Sequence, residues 1–348
     1  MNVMLAQNRY PRAGDVAILC EGDVAGFEVD LIEKWIATRA PQVLADVWAC
    51  GTQESIFGMA DAIGRSRPLV VVEDRDYRTQ EQAKADCEKK QKDRLKRAVE
   101  VGVWRTWARN EIENYLIEPA VVVPVVAGYF RISDPQLVRE RLESVVVCLR
   151  VDQAAQFALN QFRYSIPSKS RYIGGLPRKT ARPYWSAEQG TMVAPEMALV
   201  RAALEKELKK KAELHIRDST EIDFGKFVCQ FESKCNEWSH VTCSSPIWLV
   251  DWAGKDIVVS LCRWLAAEFG IFGFPDHHQR QVDWDALAGE KNPDGSPTGS
   301  DQEIERRMIH DLQPALVESF LEQLPNMGGD VQQEWESLVD AIQQATIT

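Results

Sequence analysis

A chain of 348 residues with 45% hydrophobic side chains is long enough to bury a sizeable core and to form more than one domain. Its most apolar stretch, residues 120–130, is too short to cross a bilayer, and the N-terminal residues do not combine positive charge with an apolar run. We therefore predict a soluble, cytoplasmic protein without a membrane partner.

The first third of the chain alternates between short apolar runs and amphipathic stretches. Strands are predicted to start at Val16 and to cover residues 43–50, 69–72 and 101–107, and helices to cover residues 23–39, 52–63 and 80–100. Strands that alternate with helices over short connections form parallel sheets. The expected fold class is therefore α/β, with a doubly wound, Rossmann-like, mostly parallel sheet flanked by helices.

Two of the predicted strands end in carboxylates. Glu21 follows the first strand, and Asp74 and Asp76 follow the third. Because the carboxyl ends of parallel strands share one edge of a sheet, these acids are expected to meet there. Because strand side chains alternate with period two, Asp74 and Asp76 are expected to project to the same side, and Glu73 and Arg75 to the other. Grouped carboxylates suit Mg²⁺ or Mn²⁺, and the alternative is that they form a helix cap and a turn.

These residues resemble the Toprim domain of topoisomerases, primases and a group of nucleases, over roughly residues 14–120. In that family a Glu-Gly pair, here Glu21 and Gly22, closes the first strand, and an Asp-x-Asp pair closes a later one. The resemblance implies a Toprim fold and a Mg²⁺- or Mn²⁺-dependent endonuclease that cuts RNA, such as tRNA, or DNA. Glu21, Asp74 and Asp76 would hold metal, and Glu21 would also serve as a general acid or base.

The chain departs from the Toprim nuclease pattern at one position. These nucleases often carry a further acid four residues after the glutamate, where this chain has Ala25. Asp23 and Glu28 are the nearby candidates to replace it.

Residues 107–116 carry the resemblance further. They are similar to a stretch in small stand-alone Toprim proteins and in nucleases of the overcoming-lysogenisation-defect type. Either Glu111 or Glu113 supplies another metal ligand, or Asn110 and Glu113 form a capping box that makes Glu113 structural. Arg109 is placed to bind a phosphate at a helix N-terminus, or to pair with Glu113.

The nearest resemblance is to the small Toprim effectors of bacterial anti-phage systems such as PARIS. It implies a toxic enzyme that a partner ABC-type ATPase holds inactive and releases on infection; a homodimer is left open. The competing hypothesis is a catalytically inactive Toprim-fold module that binds nucleic acid or a partner protein without cutting.

Residues 161–185 form a basic and aromatic segment without a single acid. Cations that neutralise phosphates and rings that stack on bases favour a loop that contacts nucleic acid. The alternative is a solvated loop whose aromatic rings anchor it to the core. The predicted nucleic-acid-binding residues, besides Arg109, are Arg163, Lys169, Arg171, Arg178, Lys179 and Arg182.

Two smaller features lie between residues 229 and 255. Lys255 follows Gly254 at the start of a predicted helix, and because similar nucleases carry a late lysine that assists the site, it is the candidate catalytic lysine. Four soft ligands also occur close together, although without the Cys-x2-Cys spacing of structural zinc sites. A zinc site there is the alternative to core cysteines and a surface histidine; its residues would be Cys229, Cys235, His240 and Cys243.

The negative charge lies at the C-terminal end of the chain. Residues 276–348 contain fifteen Asp and Glu against four Lys and Arg, which accounts for the whole net charge of −11, so the rest of the chain is balanced. After residue 130 the pattern is mostly helical, with helices predicted at residues 135–149 and 195–216. We predict a catalytic domain at residues 1–130, a helical domain at 131–275 and an acidic helical segment at 276–348. The acidic segment is expected to be solvated, and the alternative is a shield or a docking element for a basic partner.

Overall fold

The computed structural model describes residues 16–22, 27–51, 53–64, 66–95, 103–165, 176, 182–186, 188–215, 223–269 and 300–347. It divides into two compact units. Unit 1 comprises Met1–Ile112 and Val317–Thr348, and unit 2 comprises Glu113–Leu316. These boundaries differ from those of the three predicted domains, because the end of the chain belongs to unit 1.

Unit 1 is built on a four-stranded parallel sheet with strand order β2-β1-β3-β4. The strands are β1 (Val16–Cys20), β2 (Ala45–Ala49), β3 (Leu69–Glu73) and β4 (Val103–Thr106). The helices between them are α1 (Phe27–Arg39), α2 (Gln53–Ile63) and α3 (Gln80–Leu95). The α/β class and the parallel sheet are thus confirmed. The two central strands, β1 and β3, are fully buried, which explains why their sequences are continuous apolar runs.

One face of the sheet packs on α2. Leu19, Val71 and Trp104 form a cluster there with Ile56 and Ala60 of the helix, and all five side chains are buried. Helix α1 buries its own apolar stripe, which the sequence shows at helical spacing.

The last helix of the chain, α12 (Gly329–Ile347), is part of the core of unit 1. Trp335 is fully buried and stacks on Trp107, with ring centroids 4.9 Å apart. The Trp35 Nε1–H donates a hydrogen bond of 3.1 Å to the carbonyl oxygen of Trp335. The prediction of a solvated C-terminal segment is therefore wrong for this helix, because its apolar face holds a tryptophan that the sheet buries.

Unit 2 is mostly helical, as predicted for this part of the chain. Its elements are α4 (Glu113–Leu116), α5 (Pro119–Tyr129), α6 (Pro135–Ser165), the hairpin β5 (Tyr184–Ser186) and β6 (Thr191–Val193), α7 (Met197–His215), α8 (Gly225–Trp238), α9 (Ile247–Asp251), α10 (Gly254–Phe269) and α11 (Ser300–Gln323). The unit boundary falls within α11, which a short 3-10 helix follows at Leu324–Asn326. Within the described ranges, no helix combines the length and apolar character that a membrane span needs.

Candidate metal site at the sheet edge

The strand register brings the acidic ends of β1 and β3 together. Cys20, the last residue of β1, is paired with Val72, one residue before the end of β3. Glu21 and Asp74 therefore leave the sheet from adjacent strands at the same edge. This is the edge that the sequence predicted for the acids.

Glu21 is the most perturbed acid of this edge. Its pKa is raised to about 8, first by burial and then by the charges of Asp76 and Glu73, and Arg78 and Lys90 offset only part of the effect. Its Oε1 atom is buried and has no hydrogen-bond partner among the described residues. Without a cation, Glu21 is therefore mostly protonated at neutral pH, and the lone pairs of its Oε1 are not used by the described residues.

Gly22 has a backbone conformation that favours glycine, and the Glu28 side chain lies close to it. Its φ is +121°, and a Cβ atom built on it would lie 2.6 Å from the Cδ atom of Glu28. The Glu28 carboxylate thus lies directly against the residue that follows Glu21. Glu28, one of the two candidates for the missing acid, is therefore at the sheet edge, whereas Asp23 and Ala25 lie outside the described residues.

The pKa of the Cys20 thiol indicates which acids lie near the end of β1. Its pKa is raised well above the usual value, first by burial and then by the charges of Glu28, Cys50, Asp74 and Glu21. Each of these charges acts on a buried thiol at the end of β1. Glu28, Asp74 and Glu21 therefore all lie near enough to the end of this strand to act on the thiol.

Asp74 and Asp76 lie in a turn and not on the strand. Because β3 ends at Glu73, the predicted period-two alternation of Asp74 and Asp76 is wrong. Asp76 and Tyr77 both have left-handed backbone conformations, with φ of 52° and 60°. Asp74 Oδ1 accepts a hydrogen bond of 3.1 Å from the Ile112 N–H. The turn and its partners, rather than strand geometry, set the positions of both aspartates.

Glu73 is structural. It is fully buried and accepts hydrogen bonds from Lys90 Nζ at 2.6 Å and from Trp104 Nε1 at 2.8 Å. Lys90 and Arg78 also pair with Asp86, at 2.7 and 2.8 Å. Arg78 and Lys90, the two cations that lower the pKa of Glu21, therefore pair with other acids.

The carboxylate oxygens at this edge are donor atoms that suit a hard divalent ion, but they are not arranged as a complete set of ligands. In the portion of the chain that the structure describes, no three His, Cys, Asp or Glu side chains are arranged as a metal-binding group. Mg²⁺, however, keeps several waters and usually takes only one or two carboxylates. Such an ion would give the Oε1 atom of Glu21 a partner and would lower the raised pKa of its carboxyl group.

Comparisons with protein-family models, curated proteins and solved structures found no match for this chain.

Asn110 does not form the predicted capping box. Its Oδ1 accepts the N–H of Tyr77 instead, and its side chain is fully buried. Glu111 is also buried, in unit 1, and Glu113 starts α4 of unit 2. Arg109 is 7% exposed, which is unlike a surface contact to nucleic acid.

The basic and aromatic segment is only partly described. Lys169, Arg171, Arg178 and Lys179 lie outside the described residues. Arg163 lies within α6, which continues to Ser165, so the first residues of the predicted loop are helical. Arg182 donates a hydrogen bond of 2.6 Å to Asp256 Oδ1 within unit 2. It is therefore engaged by the protein rather than presented to solvent.

Lys255 lies where the sequence placed it, at the start of α10, and it is exposed. A Cβ atom on the neighbouring Gly254 would lie 2.8 Å from the backbone of Glu113 and Asn114. The Gly254 N–H also donates to Asn114 Oδ1 at 3.3 Å. The glycine of the Gly-Lys pair thus serves close packing, and a catalytic role for Lys255 stays a prediction.

The alternative zinc site is not formed. Cys229 is exposed, Cys235 is buried, and His240 is exposed. These residues and Cys243 all lie within the described residues 223–269, where no metal-binding group of three side chains is found. Helical and loop placement separates ligands that are close only along the chain.

Sequence reasoning missed a buried polar cluster in unit 2. Asp152 and Gln153 of α6 are fully buried, and Gln153 Nε2 donates to Asp256 of α10 at 3.2 Å. The pKa of Asp152 is raised to about 7, first by burial and then by Asp256, while Arg182 lowers it. The available signal was an acid on the apolar stripe of a helix, next to Leu149 and Ala155.

Proposed function

We propose that this protein is a Mg²⁺- or Mn²⁺-dependent endonuclease of the Toprim type that hydrolyses phosphodiester bonds in RNA or DNA. One observation carries the proposal: the partly buried carboxyl group of Glu21 has a pKa of about 8 and an Oε1 atom without a hydrogen-bond partner among the described residues, at the end of a central strand beside the Asp74 to Asp76 turn. A carboxylate in this state gains most from a cation. Its place after β1, with the aspartates after the adjacent β3, supports the Toprim type.

Glu21 and Asp74 or Asp76 would hold the ion, with Glu28 close enough to Gly22 to contribute from the same side. A bound divalent ion would polarise the phosphate and stabilise the charge that develops on its oxygens. If Glu21 is not itself a ligand, its carboxyl group has a pKa suited to accepting a proton from water and returning it to the leaving oxygen near neutral pH.

The biological setting of the proposal comes from residues 107–116 and their resemblance to small Toprim effectors. In that setting the enzyme is a toxic effector of anti-phage defence, and an ABC-type ATPase holds it inactive. Nucleic-acid contact would come from the basic residues of the 161–185 segment other than Arg182, which Asp256 holds. Lys255 is the proposed assisting lysine.

The test is cleavage of RNA and DNA by the purified chain in the presence of Mg²⁺ or Mn²⁺. We expect Glu21→Gln to lower the cleavage rate by about 100-fold or more, because both proton transfer and metal binding need the carboxylate. Glu88→Gln is the matched control, since it makes the same change on an exposed face of α3 and should leave cleavage intact. Equal activity of Glu21→Gln and wild type would reject the nuclease.

A second candidate is the catalytically inactive module that binds nucleic acid or a partner. The observation in its favour is that, among the described side chains, none form a ready group of three metal ligands. Tight binding of nucleic acid without cleavage, across Mg²⁺, Mn²⁺ and Ca²⁺ and unchanged in Glu21→Gln, would select this candidate over the nuclease.

A further inference from the structure

The turn at residues 74–77 has an uncommon backbone that something must hold. Asp76 and Tyr77 are consecutive residues with φ of 52° and 60°, a region that non-glycine residues seldom adopt. Each such residue is energetically costly and persists only when its surroundings impose it. The structure shows which residue does so.

Asn110 receives three successive backbone N–H groups of this turn. Its carbonyl oxygen accepts from Arg75 at 2.9 Å and from Asp76 at 3.0 Å, and its Oδ1 accepts from Tyr77. Successive N–H groups that converge in this way form a concavity that ordinarily binds an anion. Here the two oxygens of one neutral, fully buried asparagine occupy that position.

The loop that contains Asn110 also holds the other side of the turn. Two residues later, the Ile112 N–H donates to Asp74 Oδ1 at 3.1 Å. The backbone around Asp76 and the carboxylate of Asp74 are therefore both bound by residues 110–112. Movement of this loop would move both aspartates of the sheet edge together.

The identity of residue 110 follows from these contacts. Alanine would leave the Tyr77 N–H without a partner, and aspartate would add a buried negative charge beside three other carboxylates of the edge. Asparagine supplies the acceptor without the charge. Its Nδ2 is buried and has no hydrogen-bond partner among the described residues. The hydrogen bond that the side chain does make there is the one that Oδ1 accepts from Tyr77.

We propose that Asn110 is the positioning residue of the sheet-edge site, holding Asp74 and Asp76 in the geometry that binds a divalent ion. The claim that Asn110 supports ion binding rests on the proposed function, whereas the claim that it holds the turn does not. Outer residues that orient metal ligands typically contribute about 10- to 100-fold to metal affinity. Asn110 should act in this range although it touches no metal itself.

The matched control is Asn114, which is also fully buried and lies four residues further on. Its side chain makes hydrogen bonds to Leu249, Trp252 and Gly254 within unit 2, at 2.9, 2.7 and 3.3 Å. Asn114→Ala therefore removes at least as many buried hydrogen bonds as Asn110→Ala, but away from the turn. A purely structural role would make the two variants alike.

The experiment measures Mn²⁺ affinity and backbone amide exchange on the full chain of wild type, Asn110→Ala and Asn114→Ala. We expect Asn110→Ala to weaken Mn²⁺ binding by about 10-fold or more and to accelerate exchange at residues 75–77. Asn114→Ala should lower the melting temperature but leave both readouts unchanged. Equal Mn²⁺ affinity in wild type and Asn110→Ala, or equal exchange at residues 75–77, would overturn the proposal.

Two further outcomes keep the test decisive. If the wild-type protein binds no Mn²⁺, the proposed function fails, and the exchange of residues 75–77 alone decides whether Asn110 holds the turn. If Asn110→Ala does not fold, Asn110→Ser takes its place, because serine keeps a small polar side chain without the added charge of aspartate, and its hydroxyl ends one bond short of the position of Oδ1. Fast exchange at Tyr77 in folded Asn110→Ser supports the hold, and exchange as slow as in wild type overturns it.

Discussion

Unit 1 and unit 2 each bury an acid whose pKa lies near neutrality, but they balance it differently. In unit 2, Asp152 lies beside Asp256; Gln153 donates hydrogen bonds to both acids, and the guanidinium of Arg182 donates to Asp256. In unit 1, Arg78 and Lys90 are the cations that lower the pKa of Glu21, and both pair with other acids.

This difference separates a structural acid cluster from a candidate site. Two acids, one arginine and one proton make the unit 2 cluster neutral without any ligand. Glu21 of unit 1 has no such arrangement, because its strongest electrostatic neighbours are the acids Asp76 and Glu73. A raised pKa alone does not mark a site; the location of the nearest cation decides whether a ligand is needed.

The largest expected effect comes from removing the cation that pairs with Glu73. Lys90→Met would leave this fully buried carboxylate without its 2.6 Å ammonium partner, and we expect a loss of about 3 kcal/mol in the free energy of unfolding. Lys92→Met is the control, because Lys92 pairs with Glu88 at 3.9 Å on the surface and should cost less than about 0.5 kcal/mol. Urea denaturation followed by circular dichroism measures both, and equal losses would refute the distinction.

A smaller effect is expected from the unit 2 cluster, with a defined pH dependence. Because the pKa of Asp152 rises from an ordinary 3.8 to about 7 on folding, the folded state keeps a proton that the unfolded state loses. Stability should therefore fall as pH rises from about 4 to 7, by up to roughly 1.4 kcal/mol per pH unit for this group.

Asp152→Asn should remove this slope and be more stable than wild type at pH 8, by about 2 kcal/mol. Denaturation midpoints at pH 5, 6, 7 and 8 provide the measurement. Glu188→Gln, at an exposed position, is the control and should keep the wild-type slope. A slope that persists in Asp152→Asn would show that another group carries it.

The smallest effect concerns a single proton at the sheet edge. With a pKa of about 8, Glu21 should release close to one proton when Mn²⁺ binds at pH 7, and almost none at pH 9. Calorimetry in two buffers of different ionisation enthalpy measures this release. Asp152→Asn should release the same proton, whereas a release that survives in Glu21→Gln would assign it to another acid.

Much of the fold of unit 1 could be predicted from the sequence, because central parallel strands are continuous apolar runs with short helical connections. The edge of the sheet to which Glu21 and Asp74 belong followed from the same reasoning. Asp76 was placed by alternation, which failed because the strand ends at Glu73 and a left-handed turn begins. A turn of this kind depends on a partner 33 residues away, Asn110, which local patterns do not reveal.

The C-terminal helix shows the same limit on a larger scale. Its many acids predicted a solvated segment, yet Trp335 packs against Trp107 and accepts a hydrogen bond from Trp35 across 300 residues of sequence. Charge counts describe the solvent face of a helix and say little about the face it buries.

The sequence by itself determined the α/β class, the parallel sheet and the edge at which its acids collect, because strand periodicity and chain order are local properties. Only the tertiary structure decided which acid is paired and which is open, since Lys90 reaches Glu73 from a helix and leaves Glu21 with acidic neighbours. The balance of buried charge depends on contacts between distant segments, and those contacts exist only after the chain has folded.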